Sequence, residues 1–145
     1  MSAEKNSVSL VIKNEQDDFL VVKRQDDPTD ELAGAWGFPA ATLKGDETAH
    51  HACQRIGKTK LGVELQIGKF IGASSEQKPD YMLHLSDYEA TILSGDPKVP
   101  QLDRSVSQYD ECKFTNDPTI LFEAARRGSL CTRIFLKSLE VNWQD

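Results

Sequence analysis

The sequence predicts one α+β domain in which a mixed β-sheet is packed between helices. Segments with strand and helix patterning follow one another in the order β-β-β-α-β-β-β-α-α, and a sheet layered against helices buries the apolar face of each. The chain has 145 residues, of which 39% are hydrophobic and 28% charged; this is enough for one core and lacks the signature of disorder. No repeat, low-complexity tract or compositional break divides it, so residues 1–145 are expected to form a single domain.

Residues 7–13, S-V-S-L-V-I-K, are β-branched and weakly alternating, and F-L-V-V-K-R at 19–24 follows a polar N-E-Q-D-D stretch, which is a hairpin signal. Q-D-D-P-T-D-E-L-A-G-A-W has no period and reads as a surface loop. Residues 36–43 contain Gly37 and Pro39 and suit an irregular edge strand. Thr48 is placed to cap a helix whose Ala49, Ala52, Cys53 and Ile56 form one apolar face. Gly62 is its expected stop, and Lys58 and Lys60 in the last turn offset the helix dipole. Gly57 inside the helix costs about 1 kcal/mol against alanine, which signals close packing or a bend.

Strands are expected over 63–73 and 81–93, with S-S-E-Q-K-P-D as the turn between them. The two-proline stretch 95–105 reads as a loop and Y-D-E-C-K-F at 109–114 as a short strand. Thr115-Asn-Asp-Pro starts a helix that Gly128 ends, and Ser129 caps a last helix through Leu139.

The formal net charge of -6 repels nucleic acid and anionic membrane at long range, so neither a long nucleic acid nor a membrane is an expected partner. The first residues, M-S-A-E-K-N-S-V-S-L, lack the apolar core of a secretion signal, and a cytoplasmic location is expected. Cys53, Cys112 and Cys131 are odd in number and widely spaced, which fits free thiols rather than a disulfide framework or a zinc knuckle.

The stretch from Trp36 to Val63, W-G-F-P-A-A-T-L-K-G-D-E-T-A-H-H-A-C-Q-R-I-G-K-T-K-L-G-V, resembles the box of the Nudix hydrolase superfamily with most of its acidic residues replaced. The family pattern runs Gly, five residues, Glu, seven residues, then Arg-Glu-aliphatic-any-Glu-Glu-any-Gly-aliphatic. Its first Glu falls on Glu47, its Arg on Arg55, and its closing pair on Gly62 and Val63; the opening Gly falls on Ala41 and the other three acidic positions on Ile56, Thr59 and Lys60. The resemblance spans roughly residues 7–136, taking in the Trp-Gly-Phe-Pro approach and the acidic-then-aromatic strand Glu111 to Phe114. It implies a Nudix-like α/β/α sandwich and, for intact members, hydrolysis of a phosphoanhydride in a nucleoside diphosphate linked to another group.

That chemistry needs divalent ions, Mg or Mn, which neutralise phosphate oxygens and are held by carboxylates and water. Here Ile56 has no ligand atom, Thr59 is a weak neutral one, and Lys60 is a cation, so the charge over the three positions is +1 where the intact box carries -3. Each unit pair near 4 Å is worth about 4 kcal/mol at an effective dielectric of about 20, which disfavours the usual ion.

Glu47 remains as the candidate catalytic and metal-binding residue, with Glu111 resembling a late acidic residue that some members use; Glu47 and Arg55 equally suit a structural role in ordering the loop and helix. Glu47, His50, His51 and Cys53 form a weak zinc pattern, since adjacent histidines on a helix point about 100° apart. The formerly acidic face has become basic: Arg55, Lys58 and Lys60, with Lys23 and Arg24, are candidate phosphate ligands, and Trp36, Phe38 and Tyr81 are candidate stacking surfaces.

Three readings remain. One is a divergent binder of a nucleotide or sugar-nucleotide, with no cofactor. The second is an active pyrophosphohydrolase using Glu47 and non-standard ligands for Mg or Mn. The third is an interaction scaffold. A homodimer is compatible with each.

Overall fold

The structure is a computed structural model and describes residues 3–144. Its strands are β1 (Ala3–Ile12), β2 (Phe19–Arg24), β3 (Trp36–Gly37), β4 (Ala40–Thr42), β5 (Glu64–Gln77), β6 (Tyr81–Ser94) and β7 (Tyr109–Thr115). The helices are α1 (Ala49–Ile56), α2 (Phe122–Arg126) and α3 (Leu130–Ser138). Two sheets form, in the orders β4-β1-β6-β5 and β3-β2-β7. β1 runs parallel to β6 and the other pairs are antiparallel, so the larger sheet is mixed, as expected.

The apolar residues alternate along the strands and so divide between two layers. Val8, Leu10 and Ile12 face Ala52, Cys53 and Ile56 of α1, while Val11, Phe38 and Leu85 face Leu121, Ala125, Phe135 and Leu136. Helices therefore cover both faces, which makes an α/β/α sandwich. Each fully buried leucine or isoleucine contributes about 1.5–3 kcal/mol.

Local chemistry corrects three sequence expectations. β1 and β2 share only the bridge between Lys13 and Phe19 before diverging into different sheets, so the hairpin does not run on. The turn between them is set by Asn14, whose Oδ1 accepts from the amides of Gln16 and Asp18, both at 3.0 Å. The single edge strand expected over 36–43 is split at Phe38-Pro39 into β3 and β4, which belong to different sheets. Finally, Ser74 to Gln77 continue β5, pairing with Leu85 to Met82, and the turn shrinks to Lys78–Asp80.

The other boundaries follow their caps, except that Ser129, expected to cap the last helix, stands before α3 without a side-chain capping bond. Thr48 Oγ1 accepts from the His51 amide at 3.1 Å, Asp117 caps a 3-10 turn over Pro118–Leu121, and Gly128 (φ 102°) separates α2 from α3. No helix among the described residues is long and apolar enough to cross a membrane.

Candidate functional site

Glu47 stands one residue before the cap of α1, and its carboxylate is fully engaged. Arg55 approaches it in a fork, Nε to Oε2 and Nη2 to Oε1, each at 2.9 Å. The Lys44 amide donates to Oε1 at 3.1 Å, and His51 Nδ1 lies 2.6 Å from Oε2. Arg55 Nη2 also donates to the Thr42 carbonyl at 3.0 Å, so the pair joins β4, the loop and α1. Arg55 is the main reason that the Glu47 carboxyl is held down to about 2, with His51 and the Lys44 amide adding to it against the effect of burial. With its side chain 7% exposed and donors on both oxygens, Glu47 has little lone-pair capacity left for an ion.

The three altered box positions do different things. Ile56 is fully buried against the sheet. Thr59 Oγ1 donates to the Arg55 carbonyl at 2.8 Å. Lys60 turns inward and is only 5% exposed, where a 3.6-residue helix had placed it on a phosphate-facing surface. The cause lies at Gly57, where α1 widens into a π-helical turn, Gly57–Leu61. A Cβ on Gly57 would come within 2.8 Å of Leu65 Cδ1 and 2.9 Å of the Val63 carbonyl, so the turn is both close-packed and rewound. Gly62 then ends it at φ 73°.

Lys60 Nζ donates to the Ala40 carbonyl at 2.6 Å and to Ser107 Oγ at 3.4 Å, and lies 5.2 Å from the Tyr109 ring centre. Tyr109 in turn accepts from the Ala40 amide at 3.0 Å, so the two backbone groups of Ala40 are held by one side chain from the box and one from β7. Burial lowers the Lys60 ammonium to about 8, and the like charges of Arg24 and Arg55 act in the same direction.

The remaining candidates scatter. Arg24 pairs with Asp30 at 3.1 Å. Lys58 is exposed and shares a shallow recess with His51, Gln54, Arg55 and Thr59. Trp36 has Lys113 Nζ at 4.9 Å from its ring centre. Phe38 is 3% exposed, with the rings of Phe19 and Phe135 packed edge-on at 6.1 and 5.0 Å, so it is a core residue and not a stacking surface. Glu111 on β7 is exposed and faces Lys23 on β2 at 3.4 Å. His50 is exposed, and Cys53 is buried, its thiol pushed up to about 12. Among the described residues no group of three or more His, Cys, Asp or Glu converges to hold a metal. The donor set around Glu47 and Lys60 does not fit a magnesium or manganese ion.

Beside Ala40 lies a cleft of about 540 Å³. Its floor is the row Tyr81, Leu83 and Leu85 of β6, and its walls are residues 29–32 and 127–131, with Arg24 and Lys78 on the rim. Arg127 clamps one wall by donating from Nε and Nη2 to the Glu31 carbonyl at 3.0 and 2.6 Å. Lys5 Nζ sits 4.2 Å from the Tyr81 ring centre. Lys78, Arg127 and Cys131 escape sequence reasoning because strand pairing and the helical return alone bring them together.

A family model described as NUDIX domain matches residues 3–114. A NUDIX hydrolase from Nitrosomonas europaea superposes with TM-score 0.72 at 18% identity, covering 94% of this chain and 88% of that one. The E. coli ORF135 protein superposes with TM-score 0.70 at 16% identity over 94% and 91% of the two chains. A MutT protein from Methanosarcina mazei Go1 gives 0.69 at 17% identity over 96% and 92%. At these identities the likeness speaks for the fold. No curated protein sequence matches. The fold, the spacing of Glu47, Arg55, Gly62 and Val63, and the match over 3–114 agree: the chain belongs to the NUDIX domain family.

Proposed function

We propose that this NUDIX-family protein binds a nucleotide-type diphosphate, a nucleotide or a sugar-nucleotide, without the metal-dependent phosphoanhydride hydrolysis general to the family. The observation that carries the reading is the Lys60 ammonium, buried against the Ala40 carbonyl at a position where the family's box carries an acidic residue. The Ala40 carbonyl it binds belongs to a residue that lines the cleft, while Lys60 itself stays behind that residue and outside the lining. A divalent ion brought to the place of the ammonium would meet its charge, and at about 4 Å and an effective dielectric of about 20 the two would repel by about 8 kcal/mol.

The residues then divide by task. Arg24 and Arg127 at the cleft margin, each with guanidinium N–H groups beyond those given to Asp30 and the Glu31 carbonyl, suit phosphate oxygens, and Tyr81 with Leu83 and Leu85 suits the flat apolar face of a base. Glu47 and Arg55 hold the loop and helix in place. Glu111, paired to Lys23, has no task in this reading. A cytoplasmic location accords with free Cys53, Cys112 and Cys131.

The test is a panel of nucleoside diphosphates and sugar-nucleotides in a thermal-shift assay with EDTA and with Mg or Mn, run beside a phosphate-release assay. Stabilisation that is equal in EDTA and in metal, with no release, is the expected result. Metal-dependent release that disappears in Glu47→Gln would establish the enzyme instead.

A further inference from the structure

We propose that the groove between α3 and the Gly72–Gln77 edge of β5 docks an extended acidic and aliphatic peptide segment of another protein, added to the sheet as one more strand. β5 is the last strand of its sheet, so one side of its backbone has no ladder partner among the described residues. Edges of this kind are normally blunted by bulges, lysine or proline. The first half of β5 is blunted in that way, with register breaks at Glu64/Leu65, Ile67/Phe70 and Phe70/Gly72, and Lys69 within it. From Gly72 to Gln77 the pairing with Asp87 to Met82 is unbroken, and the stretch contains neither lysine nor proline. The edge is therefore regular only where the groove runs.

Small side chains make the groove. Gly72 and Ser74 lie opposite Asp87 and Leu85, on the sheet face that α3 covers, and the cleft between them and the helix measures about 720 Å³. A Cβ on Gly72 would stand 3.0 Å from Ile134 Cγ2, so the strand approaches the helix as closely as backbone allows. The far wall is the flank of α3, with Ile134 apolar and Arg133 and Lys137 basic.

Charge selects the occupant. Arg133 is fixed, Nε donating to the Ala125 carbonyl at 2.8 Å and the guanidinium 4.7 Å from the Trp143 ring centre. Among the described residues Lys137 has no ion pair, and Glu76 in the same groove is neutralised by Lys78 at 3.5 Å. A positive strip on a chain of net charge -6 favours an acidic strand. Backbone pairing to β5 supplies affinity, and an aliphatic side chain over Ile134 with a carboxylate near Arg133 and Lys137 supplies selectivity.

The probe is a fluorescein-labelled decapeptide of valine, threonine and glutamate, compared by anisotropy with its lysine-for-glutamate counterpart and with a proline-interrupted version. The acidic peptide is expected to bind about tenfold more tightly than the lysine peptide, and Lys137→Glu to narrow the gap to about twofold. Ser74→Trp fills the groove and is expected to abolish binding while the thermal melt and circular dichroism stay those of a folded protein. Amide shifts on titration should fall on Gly72–Gln77 and α3. Absence of saturable binding, equal binding of the lysine or proline peptide, shifts confined to the Ala40 cleft, or a protein dimer that the peptide does not displace would each overturn the proposal.

Discussion

Lys60 Nζ donates to the carbonyl oxygen of Ala40 at 2.6 Å, across the boundary between the π-helical turn and β4. The bond joins the altered box to the wall of the cleft. It also holds a charge that burial disfavours, the ammonium being lowered to about 8. Replacing Lys60 by methionine removes both the hydrogen bond and the buried charge, terms that oppose one another. Lys60→Met is therefore expected to change unfolding free energy by less than about 1.5 kcal/mol at neutral pH, while Lys60→Glu, which sets a carboxylate against the Ala40 carbonyl, costs about 3 kcal/mol or more. Urea denaturation of the two variants checks the order.

The same group has a pH signature. The Lys60 amine is lowered in the folded state from an ordinary 10.5 to about 8, so between about pH 8 and 10.5 the unfolded chain binds the proton better. Stability from this group therefore rises with pH through that window, and is at its least below pH 8. Other groups titrate there as well, so the check is a difference: wild type minus Lys60→Met should climb from pH 8 to 10, and a flat difference would show an ordinary lysine.

Asp87 predicts the opposite slope at lower pH. Its side chain is buried on β6, accepts from Ser9 Oγ, and leaves Oδ2 without a partner among the described residues. Burial raises it to about 8, with the Ser9 hydrogen bond acting the other way. A raised acid contributes stability that is complete below its unfolded value near 4 and is lost as pH climbs towards 8. The slope approaches about 1.4 kcal/mol per pH unit at most. Asp87→Asn should flatten denaturation midpoints measured from pH 4.5 to 7.5.

The Glu47–Arg55 fork is predicted to be structural. Its two side chains are 7% and 15% exposed, so removing either strands the other. Glu47→Ala and Arg55→Ala are each expected to cost about 3 kcal/mol, and the double variant clearly less than their sum. Additive losses in a double-mutant cycle would show that the two do not act as a unit.

Much of this site was legible in the residues, because spacing alone located Glu47, Arg55 and the glycine stop at Gly62. Gly57 also signalled trouble in the helix. Its consequence was not legible: a wider turn redirects Lys60 from the surface into the interior, and periodicity reasoning assumes 3.6 residues per turn throughout. Phe38 was ambiguous for another reason, since an aromatic beside a loop suits core and ligand alike until Phe135 is seen against it. Arg127 and Lys78 meet at the cleft only through the pairing of β6 and the return of the C-terminal helices.

Under the proposed function, the Lys60 ammonium behind Ala40 stands in place of a divalent ion. Titration calorimetry with a nucleoside diphosphate in EDTA, on wild type and on folded Lys60→Met, checks this. Wild type is predicted to bind without metal, with no gain on adding Mg, and Lys60→Met to bind at least about tenfold more weakly, as expected for loss of one partly desolvated charge. Binding that requires Mg, or equal affinity in Lys60→Met, would contradict it.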